Sequence, residues 1–314
     1  WEPSENTSIE LNLFKTDRQD LETFATTALN GNSSAAFWDD GIVASRAWHV
    51  ATELKGGSQP LLVKQESFSL KISHYFDGVG TLTSTTSAND YQTEFTVDLD
   101  TGTSAACKAT FVCADFFQDY PSEDFQQEFL FTSDPMGKLS FVAGLYFYEN
   151  DAGFDGNFAP VINSTGYAIR DQSLAGFISG STVFVESQAL FGSLTYEISD
   201  QLRLTLGGRY NDESIVGVGT YSGKVFPNGG ELSDKTFTPR VAVHFDISDT
   251  LSIYGSYTEG RKGPILQSFS TADDYADYED VEAIELGIKA SGDNYRFNGA
   301  IFSYDYKNFQ DQVW

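Results

Sequence analysis

The sequence contains one short pattern that is typical of acid–base catalysis, Asp100-Thr101-Gly102. In enzymes that pair two such turns, the two carboxylates share one proton and activate water. The 314 residues hold no second Asp-Thr-Gly or Asp-Ser-Gly, which leaves only a dimer with one aspartate from each subunit. We interpret the pattern as a polar turn that begins a long connection, and we predict that the chain is not an enzyme.

Residues that could bind a metal or act as nucleophiles are few and far apart. The three histidines, at positions 49, 74 and 244, lack the spacing of a metal site or a Ser-His-Asp triad. An acidic run could bind a hard cation such as calcium; it comprises Asp273, Asp274, Asp277, Glu279 and Asp280. We favour a solvated loop for this run and expect no metal and no cofactor.

Two cysteines, Cys107 and Cys113, lie close together in a polar segment. A four-ligand zinc site would need further His or Cys residues nearby, and the segment has none. A disulfide that closes a surface loop is the favoured interpretation over two free thiols. Such bonds mark oxidising compartments.

Composition narrows the class of protein further. The formal net charge is −26, so a nucleic acid would approach against a repulsive field and is not an expected partner. The 26 Phe, 16 Tyr and 28 Gly beside a single Met favour strands and turns. No apolar stretch approaches the ~18 residues of a membrane-spanning helix. An all-β fold is predicted.

Five predicted hairpins with alternating apolar and polar residues follow one another from about residue 67. In the clearest strand, Leu202, Leu204 and Leu206 share one face while Arg203 and Thr205 share the other. The short turns are predicted near residues 78, 135, 200, 249 and 293. The long polar connections between them are predicted at roughly 88–124, 150–186, 212–234 and 260–280.

This strict alternation of short and long links is typical of an antiparallel up-and-down β-barrel, in which successive turns lie at opposite ends. Runs of ten or more residues match the ~9–11 that a tilted strand needs to cross a bilayer. We therefore predict a partial transmembrane barrel. Its predicted outer, lipid-facing residues are Leu202, Leu204, Val241, Val243, Leu286 and Ile288, and its predicted lumen-facing charges are Glu197, Arg203, Arg209, Arg240, Glu285 and Lys289. A soluble β-sandwich is the alternative.

Several phrases in register resemble the barrel of TonB-dependent outer-membrane receptors. They include Leu-Arg-Leu-Thr-Leu-Gly-Gly-Arg-Tyr at 202–210 and Phe-Thr-Pro-Arg-Val-Ala at 237–242, followed by similar phrases at 251–260, 281–289 and 300–307. The resemblance covers roughly residues 65–314. It departs from the family pattern after Gly260, where Arg261-Lys262-Gly263-Pro264 replaces an aromatic residue and paired glycines.

The resemblance implies a receptor in the outer membrane of a Gram-negative bacterium, surrounded by lipid and driven by the TonB–ExbB–ExbD system. Its commonest cargo would be a ferric siderophore. Residues 1–66 are expected to be irregular N-terminal strands and loops, and residues 67–314 the barrel segment. Nothing in residues 1–60 resembles the family's plug domain, and we expect an internal piece with Trp314 as a truncation point. A passive porin-like barrel and a carbohydrate-binding β-sandwich are the alternative functions.

The long connections are unusually aromatic, which predicts where a cargo would bind. Rings among Asp, Gly and Asn residues can stack on flat or sugar-like ligands while their polar neighbours orient them. The candidate ligand-contacting residues are Phe116, Phe117, Tyr120, Tyr221, Tyr275 and Tyr278. The acidic run around Tyr275 and Tyr278 argues against an anionic cargo at that connection.

Overall fold

The computed structural model describes residues 1–20, 61–98, 115–159, 177–221, 224–226, 230–266 and 275–311. All the regular elements among them are strands, and none of these residues belongs to a helix that could cross a membrane. The strands are β1 (Thr7–Asp20), β2 (Leu61–Phe76), β3 (Gly80–Asp98), β4 (Asp115–Ser133), β5 (Leu139–Ala159), β6 (Phe177–Glu197), β7 (Leu202–Tyr221), β8 (Lys224–Phe226), β9 (Glu231–Ser248), β10 (Leu251–Lys262), β11 (Ile265–Leu266), β12 (Tyr275–Ala276), β13 (Glu279–Gly292) and β14 (Tyr295–Lys307).

The long strands form one antiparallel sheet in which each strand pairs with the next along the chain. Its order is β1-β2-β3-β4-β5-β6-β7-β9-β10-β13-β14, with β8 added to β7, and β11 and β12 pair separately. This up-and-down order confirms the predicted barrel architecture. The sheet is open among the described residues, and it is not divided into the two stacked layers of a sandwich.

The short turns lie at one end of the sheet, as predicted. They connect β2 to β3, β4 to β5, β6 to β7, β9 to β10 and β13 to β14. Two of them contain a glycine with positive φ, Gly78 at 67° and Gly137 at 66°, a conformation that other residues adopt only with strain. Near the β9–β10 turn a bulge shifts the register between Leu251 and Ser252.

The predicted boundaries of the long connections were wrong, because the strands extend well into them. β3 continues to Asp98 and β4 begins at Asp115, inside the predicted connection 88–124. The backbone ladder continues where both faces become polar, so the apolar alternation ends before the strand does. One polar pair in this extension is Asn89 with Asp124, whose Nδ2 and Oδ2 lie 2.8 Å apart.

The predicted outer residues share one face, which we call the outer face. Leu204 is the cross-strand partner of Val243, and Gly255 lies in register with both Val243 and Leu286. Val243 is 41% exposed and Leu286 55%, so these side chains are not packed against a second sheet. The apolar part of this face extends from the short turns to Tyr210 and Phe237, which are partners, and we call it the apolar belt.

The opposite, inner face carries the predicted charged residues. Glu197 is the partner of Arg203, and Arg203 reaches Asp246 at 3.0 Å. The guanidinium of Arg209 lies 5.2 Å from the ring centre of Tyr146 and 5.6 Å from that of Phe191. The sheet therefore has one apolar and one polar wall over the same stretch.

Candidate functional site at the long-connection rim

The ends of β7, β9, β10, β13 and β14 meet at the rim opposite the short turns. There the segments 261–266 and 275–280 lie against one another and against the end of β14. We call this group the rim cluster, and its central residues are Glu213, Asp234, Arg261, Tyr278 and Gln310. All of them lie beyond the apolar belt.

Arg261 holds the rim cluster together through its guanidinium. One nitrogen, Nη1, donates to Asp234 Oδ2 at 2.6 Å, and Nε lies 3.1 Å from Asp280 Oδ1. The flat face of the group lies over the ring of Tyr278, 4.6 Å from its centre. Arginine suits this position because its planar fork can bond carboxylates and stack on a ring at once.

Tyr278 is half-buried, and its hydroxyl is covered. The pKa of this phenol is raised, first because burial disfavours the charged form and then because Asp234 and Glu213 are negative. Among the described residues its Oη has no hydrogen-bond partner. The cluster therefore contains a neutral, buried hydroxyl, and the guanidinium of Arg261 lies over the ring that carries it.

Gln310 ties three segments of the chain to one another. Its Nε2 donates to the carbonyl oxygens of Gly263 and Asp277, both at 2.8 Å, and its backbone N–H donates to Glu279 at 2.7 Å. Its Oε1 is buried and has no partner among the described residues. The side chain thus acts as a clamp between residues far apart in the sequence.

Glu213 lies under the start of the 263–266 segment. A β-carbon on Gly263 would lie 2.7 Å from Glu213 Oε1, so the glycine permits the backbone to pass close to the carboxylate. Together with Asp234, Asp280 and Glu279, Glu213 outweighs the positive charge of Arg261. This balance would repel an anionic ligand and attract a cationic one.

The predicted ligand-contacting residues are not all in loops. The backbones of Phe116, Phe117 and Tyr120 belong to β4, and that of Tyr221 to β7, which corrects their placement in long connections. The ring of Tyr120 packs against Phe154 at 5.0 Å, away from the rim cluster. The prediction of loops was wrong because the strands continue beyond the apolar belt, and aromatic residues are favourable in strands there too.

Tyr275 and Tyr278 come closest to the prediction. Tyr275 lies in the short strand β12, opposite Leu266, and is 44% exposed. Tyr278 follows this strand and enters the rim cluster. Cys107 and Cys113, Asp273 and Asp274 lie outside the described residues. In the part of the chain that the structure describes, no group of three His, Cys, Asp or Glu residues could hold a metal ion.

Sequence reasoning missed Arg261, Asp234, Glu213 and Gln310 as one site. The available signal was the departure from the family phrase at Arg261-Lys262-Gly263-Pro264. The structure shows that this departure supplies both the guanidinium and the close-packed glycine. No period-two pattern could have placed Gln310 beside Gly263, because tertiary contact alone brings them together.

Several solved structures with a similar fold are named as receptors or transporters. The ferric yersiniabactin uptake receptor FyuA from Yersinia pestis is 16% identical, with a TM-score of 0.61 over 83% of this chain and 39% of that chain. The copper transporter OprC is 15% identical, with a TM-score of 0.67 over 98% and 44%. The ferric citrate transporter FecA is 13% identical, with a TM-score of 0.64 over 100% and 43%.

This chain therefore spans about two fifths of the length of these three structures. At such identities the likeness establishes the fold alone. A search of curated protein sequences gave no match. The profile described as "TonB dependent receptor-like, beta-barrel" matches residues 1–314. With its apolar outer wall, polar inner wall and one-sided short turns, the chain belongs to this family of barrels from the outer membrane of Gram-negative bacteria.

Proposed function

We propose that this chain is part of the barrel of a receptor that takes up a scarce nutrient across the outer membrane, driven by the TonB–ExbB–ExbD system. The observation that carries the proposal is the polar inner wall, which runs from the short turns to the rim cluster behind an apolar outer wall. Arg203, Arg209 and Glu197 line it, and a wet lumen accepts such charges where lipid would not.

A ferric siderophore is the cargo that we propose. Among the similar folds, FyuA is named as a ferric yersiniabactin uptake receptor, and a second structure is named as the ferripyoverdine receptor of Pseudomonas aeruginosa. The acidic rim cluster restricts the charge of the iron complexes that would bind. A cargo that carries exposed negative charge would be repelled there, so a neutral or cationic iron complex fits better.

Within this receptor, the rim cluster is the proposed first contact for the cargo. Tyr278 offers a ring held by Arg261, and Tyr275 offers an exposed ring on the adjacent short strand. Rings placed side by side with hydrogen-bonding neighbours bind planar, polar ligands well. Phe116, Phe117, Tyr120 and Tyr221 lie at the same rim on other strands and are secondary candidates.

The test is uptake by cells that lack their own siderophore receptors and express the complete receptor. Neutral, cationic and anionic iron complexes would be supplied singly under iron limitation. We expect growth with a neutral or cationic complex, and no growth when TonB is deleted. Growth that is independent of TonB would instead indicate a passive pore.

A second measurement tests the rim cluster itself. Binding of the identified iron complex to whole cells would be compared between the unmodified receptor and a Tyr275→Ala, Tyr278→Ala double variant. We expect a loss of affinity of about tenfold, which corresponds to ~1.4 kcal/mol. The matched control is Tyr295→Ala, an exposed tyrosine beside the β13–β14 turn at the opposite end. Equal affinity in all three would reject a role for the rim cluster.

A further inference from the structure

The outer face carries a groove of about 840 Å³ at the upper edge of the apolar belt, spanning β1 to β6. Its apolar floor follows a row of cross-strand partners, Leu13, Phe68, Ala88 and Phe125. Ala88 is the smallest of these residues and lies between two phenylalanines, which leaves a depression. The ring of Phe184, 45% exposed, borders the groove on β6.

The next row toward the rim is acidic, and its members also border the groove. Asp90, Glu123 and Asp151 are consecutive cross-strand partners on β3, β4 and β5. Glu149 and Glu186 form a second pair of direct partners on β5 and β6. Like charges placed directly opposite each other destabilise a sheet, and a neighbouring low-dielectric bilayer strengthens the repulsion.

At other places on the outer face, and at the β1–β2 end of the groove, acidic residues are paired with lysines. Lys15 contacts Glu66, Lys235 contacts Asp212 at 3.0 Å, and Lys307 contacts Glu282 at 2.6 Å. The strands β3, β4, β5 and β6 contain no Lys or Arg at all. Lys15, at the β1 end of the groove, already contacts Glu66, and Lys64 lies one row farther along β2, opposite Gln92. The sector without lysine or arginine therefore coincides with the β3–β6 part of the groove.

We propose that this groove binds a membrane lipid with an amine-bearing headgroup, the acyl chain lying over Ala88 and the ammonium facing Asp90, Glu123 and Asp151. Three observations support this occupant. The groove is continuous with the lipid-facing belt, its floor is apolar, and its border on β3 to β6 lacks the cations that other strands of the face supply. The lipid ammonium would pair with the carboxylates of the groove as Lys235 pairs with Asp212 and Lys307 with Glu282.

A primary ammonium suits this border better than a quaternary one. It carries N–H groups that donate charge-assisted hydrogen bonds to carboxylates, whereas a trimethylammonium group has none. An anionic headgroup would be repelled. The groove should therefore discriminate among lipids that have identical acyl chains.

The experiment uses the complete receptor in detergent micelles with an equimolar mixture of phosphatidylethanolamine, phosphatidylcholine and phosphatidylglycerol, all with the same acyl chains. Native mass spectrometry then measures which lipid stays bound. We expect phosphatidylethanolamine to be enriched about threefold over phosphatidylcholine, the ratio that an exposed ion pair gives. Equal retention of all three lipids would overturn the proposal, and so would retention of phosphatidylglycerol that depends on added calcium.

Two variants distinguish binding of the lipid headgroup from binding of the acyl chain. Glu123→Gln with Asp151→Asn should remove the preference for phosphatidylethanolamine and leave total lipid retention near its original level. Ala88→Phe should reduce retention of every lipid, because the ring fills the groove floor. The matched control is Asp212→Asn, which neutralises a carboxylate on the same face that Lys235 already compensates. If the Glu123, Asp151 double variant keeps the full preference, the proposal fails, whether or not Ala88→Phe folds.

Discussion

Tyr254 covers Gly287, its direct cross-strand partner, so closely that a β-carbon on the glycine would lie 2.2 Å from Tyr254 Cε1. The hydroxyl of the same tyrosine donates to Glu285, on the same strand as the glycine. The ring therefore occupies the space of the missing side chain, an arrangement known to support glycines in strands.

Gly287→Ala should lower the free energy of unfolding by about 1–3 kcal/mol, because overpacking must displace the ring. Urea unfolding in lipid vesicles measures this change. The control is the same substitution in a Tyr254→Leu background, where the added β-carbon has room. If the cost of Gly287→Ala is the same in both backgrounds, the ring is not its cause.

Arg261→Gln should loosen the rim cluster, because Asp234, Asp280 and Tyr278 would lose their common partner. We expect faster amide hydrogen exchange in residues 263–266 and 275–280, with no change in the β9–β10 turn. Lys262→Gln is the matched control, since it removes the same charge at the next position. Equal acceleration in both variants would show that charge alone, and not the guanidinium geometry, holds these segments.

The phenol of Tyr278 should titrate above the ordinary tyrosine value, because burial and nearby carboxylates raise its pKa. The folded pKa is raised above the unfolded value of ~10, so the stability linked to this group is complete below pH ~10. It is lost as the pH rises through the raised value. The tyrosinate absorbance of the unmodified protein minus that of Tyr278→Phe isolates this phenol. A difference curve centred at an ordinary tyrosine pKa would contradict the burial.

Val243→Arg should impair membrane insertion, whereas Ala242→Arg should be tolerated. The two residues are adjacent on β9 but lie on opposite faces, Val243 in the middle of the apolar belt and Ala242 on the inner wall. A charge on the lipid face costs ~2–4 kcal/mol near the bilayer midplane. The folded fraction after refolding into vesicles, read from gel mobility, measures the difference. Similar yields for the two variants would contradict the assignment of faces.

The turns and the faces of the sheet could be predicted from the sequence because both follow from period-two alternation. Leu204 and Arg203 alternate in the pattern of a strand that has one apolar and one polar face. The strand extensions could not be predicted in this way. Beyond Tyr210 the apolar alternation of β7 is interrupted by polar residues such as Asp212 and Glu213, which resemble a loop in the sequence.

The rim cluster could not be predicted because its contacts join segments that no local pattern connects. Gln310 clamps Gly263 and Asp277, and Arg261 joins Asp234 to Asp280. Only the departure from the family phrase at Arg261 marked the place. The sequence therefore contains the individual polar and charged residues of this rim, but only the fold shows that they lie together.

Because the short turns set the pairing of each hairpin, the opposite rim is free to change in length. Phe76 pairs with Gly80, and Gly292 with Tyr295, so the register of these hairpins is fixed within a few residues of the turn. An insertion at the far rim lengthens a connection without rotating any wall residue to the wrong face. The connections at the far rim can therefore change in sequence and length without changing the strand pairing of the barrel wall.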